Sequence, residues 1–322
     1  MSQTNSRRIG PHLPLGQGLL KAADRAREIG ATTVQVFTDN PTAWRRRQQP
    51  PKALAEFRAR LKAAGIRDVA VHAPYLINLC GGNEDFWEKS IATVARELVV
   101  GSQYGARYVV MHIGSHRGLG REEGIRRLVE GMRRSFDLAD ETAHGNHRLP
   151  MLALENAPGT GDGIGAPIED LADIVGASAQ AGLPMDRIGI CLDTAHLWGA
   201  GYDISTEAGV DDLSVRIDEI LGHERVVALH LNDSRTTVGS HLDRHEHIGA
   251  GQMGERGMSE VLNHPWFATL PTYLETPGMD SGYDRINLER ARMVIAGEEL
   301  PTLPAEAFTL RGSRARTAPP NG

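Results

Sequence analysis

The 322-residue chain reads as a single (β/α)8 TIM barrel of the α/β class. Two observations predict it. Strand and helix patterns alternate from end to end, and short apolar runs repeatedly stop on His, Asp or Glu. Strands joined by helical crossovers run parallel, and eight of them close into a barrel with its active site at their carboxyl ends.

The elements follow in order. A short strand near Arg8-Ile-Gly10 precedes a helix from about 19 to 29, where Leu19, Leu20, Ala23, Ala26 and Ile29 share one face. Thr33-Val-Gln-Val-Phe37, rich in β-branched residues, is the second strand, and 52–64 the second helix. The same alternation predicts strands ending at His72, His112, Glu155, Asp193, His230 and Glu275. Helices are expected near 84–103, 121–143, 168–180, 211–221, 257–262 and 284–296. No internal repeat or second domain is visible. The barrel is expected to occupy 8–304, with a flexible start over 1–7. Residues 305–322, polar, basic and rich in Pro and Gly, read as a disordered tail.

Composition is that of a large soluble domain. Apolar residues make up 40% of the chain. No run approaches the roughly 20 apolar residues of a membrane span. Met1-Ser-Gln-Thr-Asn-Ser-Arg-Arg8 lacks an apolar segment behind its basic residues, so a cytoplasmic protein is expected, with no membrane or protein partner required. Cys80 and Cys191 read as small core residues rather than a disulfide.

The chemistry lies at the strand ends. Asp68-Val-Ala-Val-His72, Tyr108-Val-Val-Met-His112, Met151-Leu-Ala-Leu-Glu155, Ile188-Gly-Ile-Cys-Leu-Asp193, Val226-Val-Ala-Leu-His230 and Pro271-Thr-Tyr-Leu-Glu275 each deliver a metal-binding residue type to one rim. One such residue is more often a hydrogen-bonded loop anchor than a ligand. Six in register, joined by His196 and the Asp243-Arg-His245 pair, favour metal. Four carboxylates and five imidazoles without a thiolate suit Zn, Mn or Fe, and argue against a structural zinc or a calcium site. Nine ligands exceed the needs of one ion, so two or three metals sharing a bridging carboxylate are expected.

The segments His72-Ala-Pro-Tyr-Leu-Ile-Asn78, Leu154-Glu-Asn156, Leu192-Asp-Thr-Ala-His196, His230-Leu-Asn-Asp-Ser234, Asp243-Arg-His245 and Leu274-Glu-Thr-Pro277 resemble the endonuclease IV family of abasic-site endonucleases. The resemblance runs from about Arg8 to Ala296. It implies a zinc-dependent DNA repair enzyme with three Zn2+ per chain, Mn2+ being a possible substitute. Such an enzyme cleaves duplex DNA 5′ to an abasic site and leaves a 3′-hydroxyl and a 5′-deoxyribose phosphate. On the same resemblance His72, His112 and Glu155 would hold one ion. Glu155 would bridge to a second, held with Asp193, His230 and Glu275, and would orient the attacking water as the catalytic carboxylate. His196, Asp243 and His245 would hold the third.

DNA contacts are expected at Tyr75 and Leu76, which match residues pressed into the duplex to flip the abasic nucleotide. Many relatives carry an arginine where this chain has Thr42, and Arg45, Arg46 and Arg47 are candidates to replace it. Gly249-Ala-Gly251 and His112-Ile-Gly-Ser115 also depart from the family pattern, at Ala250 and Ile113. His12, ending the first strand, faces the mouth and reads either as a phosphate contact or as a structural histidine. A formal charge of −6 is unpromising for a DNA binder, but three divalent ions would offset it. Charge near the mouth, including Arg117, Arg121 and Arg235, counts for more than the total. The rival reading is a single-metal sugar isomerase or epimerase on a similar barrel, which would have no use for His72, His112 and the Asp243–His245 pair as ligands.

Overall fold

A computed structural model describes residues 7–47, 49–143 and 148–310 of the chain. Eight parallel strands form the barrel: β1 (Ile9–Pro11), β2 (Thr33–Val36), β3 (Asp68–His72), β4 (Tyr108–His112), β5 (Met151–Glu155), β6 (Ile188–Asp193), β7 (Val226–His230) and, after two short strands outside it, β10 (Thr272–Leu274). Those two, β8 (Asp233–Ser234) and β9 (His245–Glu246), pair with each other as an antiparallel ribbon. Barrel neighbours follow chain order, with β10 between β7 and β1. Closure comes where His12 bridges Gln35 and the Leu13 N–H donates to the Gln35 carbonyl at 2.8 Å.

Helices α1 (Leu19–Glu28), α2 (Leu54–Ala63), α3 (Glu84–Tyr104), α4 (Arg121–Ala143), α5 (Ile168–Gln180), the short α6 (Thr194–Ala200), α7 (Glu207–Ile220), α8 (Gly254–Asn263) and α9 (Tyr283–Ala296) alternate with the strands, and all but α6 make the outer ring. The longer ones start and stop by local chemistry. In α3, the Asn83 side chain accepts the Phe86 N–H, and Gly105 ends the helix at φ 75°, a left-handed conformation glycine adopts without strain. None of the described helices is long and apolar enough to cross a membrane.

Two apolar layers result from the period of two along each strand. Outward residues such as Val34, Val36, Val69, Val71, Leu152 and Leu154 pack under the helices. A smaller cluster fills the barrel interior: Ala70, Tyr108, Val110, Ala153, Cys191, Ala228 and Tyr273. Both cysteines are free and buried, as small core residues. Gly10 permits the closest approach in the sheet, since a Cβ there would lie 1.8 Å from the Thr33 carbonyl oxygen.

Three features differ from the sequence reading. Helix α6 follows β6 directly, and the β8–β9 ribbon follows β7. Both are too short to leave a periodic signature. The expected disordered tail from 305 is corrected for its first residues. Ala305–Thr309 form a 3-10 turn with Ala307 buried, because His247 Nε2 donates to the Ala307 carbonyl at 3.0 Å and Phe308 meets the His247 ring. The rest of the tail, 311–322, and most of the flexible start, 1–6, lie outside the described residues.

Candidate metal centre

The interior layer points straight at the site. Ala70, Val110, Ala153, Cys191, Ala228 and Tyr273 face the barrel axis. Two residues on along the same strands stand His72, His112, Glu155, Asp193, His230 and Glu275. The period of two turns those six inward as well, one layer higher, at the carboxyl ends. His12 on the β1 line and Gln35 on β2 complete the ring, so all eight barrel strands contribute a polar group.

Ligand atoms converge in three sets, each within 4.8 Å: His72, His112 and Glu155; Glu155, Asp193, His230 and Glu275; and Asp193, His196 and His245. Glu155 divides its oxygens. Oε2 lies 3.3 Å from Nε2 of both His72 and His112, while Oε1 lies 3.0 Å from His230 Nδ1. Glu275 Oε2 reaches the same His230 nitrogen at 3.4 Å.

His196 and His245 arrive by the two unforeseen elements. Asp193 Oδ1 caps α6 by accepting the His196 N–H, which places the His196 ring over the site. The ribbon brings in His245, whose Nε2 lies 3.5 Å from Asp193 Oδ2 and 3.1 Å from Asp243 Oδ1. Asp243 is half exposed and also faces His196 Nε2, at 3.4 Å. The sequence reading gave Asp193 to one ion only; the structure places it in two sets, with Asp243 at the solvent side of the third.

Four of the five rings have their other nitrogen occupied. His72 Nδ1 donates to the Ala73 carbonyl, His196 Nδ1 to Asn156, His245 Nδ1 to Glu275 and His230 Nε2 to the Gln35 side chain. Such outer contacts fix ring orientation and leave one lone pair aimed inward, as at metal sites. Nε2 of His196 and His245 are buried without a hydrogen-bond partner. Orphaned buried nitrogens facing carboxylates, without a thiolate, fit divalent cations.

Electrostatics say the same. Burial alone would raise the Glu155 carboxyl, but the His230 and His112 imidazoles outweigh it and hold it well below the usual range. His245 would be lowered by burial, yet Asp243 and Asp193 push it up to about 10. His196 is likewise driven well above the ordinary value against burial, by Asp193 and Asp243. Clustered carboxylates draw positive charge, and protons on imidazole supply it when no cation does.

At the rim, the Tyr75 ring stands over the site, 5.6 Å from the His72 ring and 5.8 Å from His112, with 53% of its surface exposed. Leu76 is partly buried beside it. The three adjacent arginines separate. Arg46 is tied to its own loop: its Nη1 donates to the Asn40 carbonyl at 2.7 Å, and the partly buried guanidinium faces Glu97 and Asp39. Arg45 and Arg47 are exposed. Arg121 is bound to Asp170 and Asp173, and Arg235 donates to the His245 carbonyl, so both support structure.

Residues 23–297 match the family described as the xylose isomerase-like TIM barrel. A probable endonuclease 4 of Halothermothrix orenii is 36% identical over 286 residues, 88% of this chain and 99% of the relative. The crystal structure of endonuclease IV from Thermus thermophilus superposes with a TM-score of 0.75 at 35% identity, covering 90% of this chain and 99% of that one. The chain belongs to the endonuclease IV family. Its members are hydrolytic endonucleases, and this chain is one of them. A 3-keto-D-glucoside 4-epimerase from E. coli, at 12% identity and a TM-score of 0.62, shares the fold alone.

Sequence reasoning missed Gln35, Asn156 and Asn232 as supports of this site. Asn156 Oδ1 accepts the Asp193 N–H, and Asn232 Nδ2 donates to Asp193 Oδ2 at 2.7 Å while its Oδ1 accepts the Glu275 N–H. For Gln35 the signal was available. It is a polar residue at an inward position of a β-branched strand, two residues after Thr33.

Proposed function

We propose that this endonuclease IV family member is a zinc-dependent DNA repair enzyme. It hydrolyses the phosphodiester 5′ to an abasic site in duplex DNA, leaving a 3′-hydroxyl and a 5′-deoxyribose phosphate. The observation that carries the reading is the division of Glu155 between two ligand sets, with Asp193 joining the second to a third. Clustered ions suit in-line displacement at phosphorus, where the bound metals lower the pKa of water and offset charge on the attacking and leaving oxygens.

Each residue has a defined part. His72, His112 and Glu155 would hold one zinc; Glu155, Asp193, His230 and Glu275 a second; His196, His245, Asp193 and Asp243 a third. Glu155, with a single negative charge shared between two sets, sets their spacing and accepts the hydrogen bond that orients the attacking water. Tyr75 and Leu76 fill the stack left by an extruded abasic nucleotide. Arg45 and Arg47 meet the phosphates, which positions the duplex without reading its sequence.

Incision of a duplex carrying one abasic-site analogue, before and after chelation, tests this. The expected result is a single nick whose 3′ end a polymerase extends, abolished by chelation and restored by zinc. A chain that holds one metal, leaves that duplex intact and epimerises a sugar would overturn it.

A further inference from the structure

The interior of β2 carries a fully buried amide in a position where a TIM barrel ordinarily places a branched apolar side chain. A buried amide is costly unless it is hydrogen-bonded. Gln35 spends its bonds on two members of the second ligand set. Its Nε2 donates to Glu275 Oε1 at 2.6 Å, and its Oε1 accepts from His230 Nε2 at 3.0 Å. His12 Nδ1 lies 3.0 Å from the same Glu275 oxygen and 3.1 Å from Gln35 Nε2.

These contacts orient the amide without ambiguity. Reversing it would set a carbonyl oxygen 2.6 Å from a carboxylate oxygen, two acceptors with no hydrogen between them. With the oxygen toward His230, Nε2 of that ring carries the hydrogen and Nδ1 keeps its lone pair. That Nδ1 lies 3.0 Å from Glu155 Oε1 and 3.4 Å from Glu275 Oε2. Glu275 is sorted in the same way: Oε1 is taken by Gln35 and His12, and Oε2 faces the set.

We infer that Gln35 is a positioning residue, a single neutral amide that selects the nitrogen of His230 and the oxygen of Glu275 presented to one metal. The inference rests on reading Glu155, Asp193, His230 and Glu275 as a metal set. It goes beyond that reading by assigning the selection to one side chain on a strand that supplies no ligand.

The test is metal release from the full chain loaded with zinc, followed by transfer to a chelating dye, with no DNA present. Gln35→Leu removes donor and acceptor together, and Gln35→Met does so with an unbranched chain of similar length. Loss of an outer-shell partner weakens metal sites by about 10–100-fold. One release phase is therefore expected to accelerate by about that factor in both variants, the others keeping the wild-type rate. With cobalt in place of zinc, the visible absorption of one site should shift. Thr33→Val is the control: it lies on the same strand, points inward, and bonds only the Thr272 carbonyl. Wild-type release and an unchanged cobalt spectrum in the Gln35 variants would overturn the inference, as would equal acceleration by Thr33→Val. A wild-type chain that holds no metal at the second set would instead overturn the reading of the site.

Discussion

Asp193 accepts the backbone N–H of His196 through Oδ1 at 2.8 Å, so the last residue of the sixth strand caps the helix that carries a neighbouring ligand. Its other oxygen, Oδ2, takes the Asn232 amide at 2.7 Å and faces His245. One carboxylate thus builds local structure with one atom and offers charge to two ligand sets with the other.

That division predicts different results for two substitutions. Asn is as good a helix cap as Asp, but its NH2 would meet the Asn232 NH2, so Asp193→Asn should keep the cap, lose the Asn232 bond and bind less metal. Asp193→Ala loses metal, the Asn232 bond and the cap together, so the chelated protein should be less stable than the Asn variant by about 1 kcal/mol, the worth of a cap. Elemental analysis with thermal melts separates them. Equal stability of the two variants after chelation would refute the capping role.

Glu155→Gln keeps the shape of the shared carboxylate and removes its charge. Single-turnover incision should fall by orders of magnitude, with far-UV circular dichroism unchanged and fewer ions bound. A variant that cleaves at nearly the wild-type rate would show that the division of Glu155 between two sets has no part in the reaction.

The chelated protein should depend on pH in a defined sense. His245, raised to about 10 by Asp243 and Asp193, contributes stability that is complete below its unfolded value near 6.5 and is lost as pH rises through 10. Glu155 and Glu275 are depressed, so their contribution is present above the ordinary Glu value and lost as pH falls below it. Denaturant melts of chelated protein should therefore weaken from about pH 6.5 towards 10, and zinc-loaded protein should not. Zinc loading at about pH 8 should also release protons from His196 and His245, measurable with an indicator dye. A flat pH profile together with no proton release would contradict the electrostatic reading.

The corrected tail boundary also makes a prediction. Ending the chain after Leu310 should leave the melting temperature and the incision rate unchanged. Ending it after Pro304 removes the buried Ala307 and strands His247 Nε2 without its acceptor, at a cost of about 1–3 kcal/mol. Identical melts for the two truncations would show that the turn contributes nothing.

The sequence by itself determined the barrel and most of the ligand ring, because both obey a local period. Alternation along a strand makes Ala153 and Glu155, or Ala228 and His230, face the same way whatever surrounds them, and helical crossovers force the strands parallel. The same rule, applied to Thr33 and Gln35, would have extended the ring to a strand without a ligand. Tertiary structure alone decided what depends on contacts between distant segments. Arg46 turns from solvent towards Glu97 of α3, and Asp243 settles at the solvent side of a set that Asp193 joins. His245 reaches the site on a ribbon that begins at Asp233, whose carboxylate accepts the N–H groups of Ser234, Gly251, Met253 and Gly254. Such arrangements follow from hydrogen bonds between residues whose spacing in the chain carries no period.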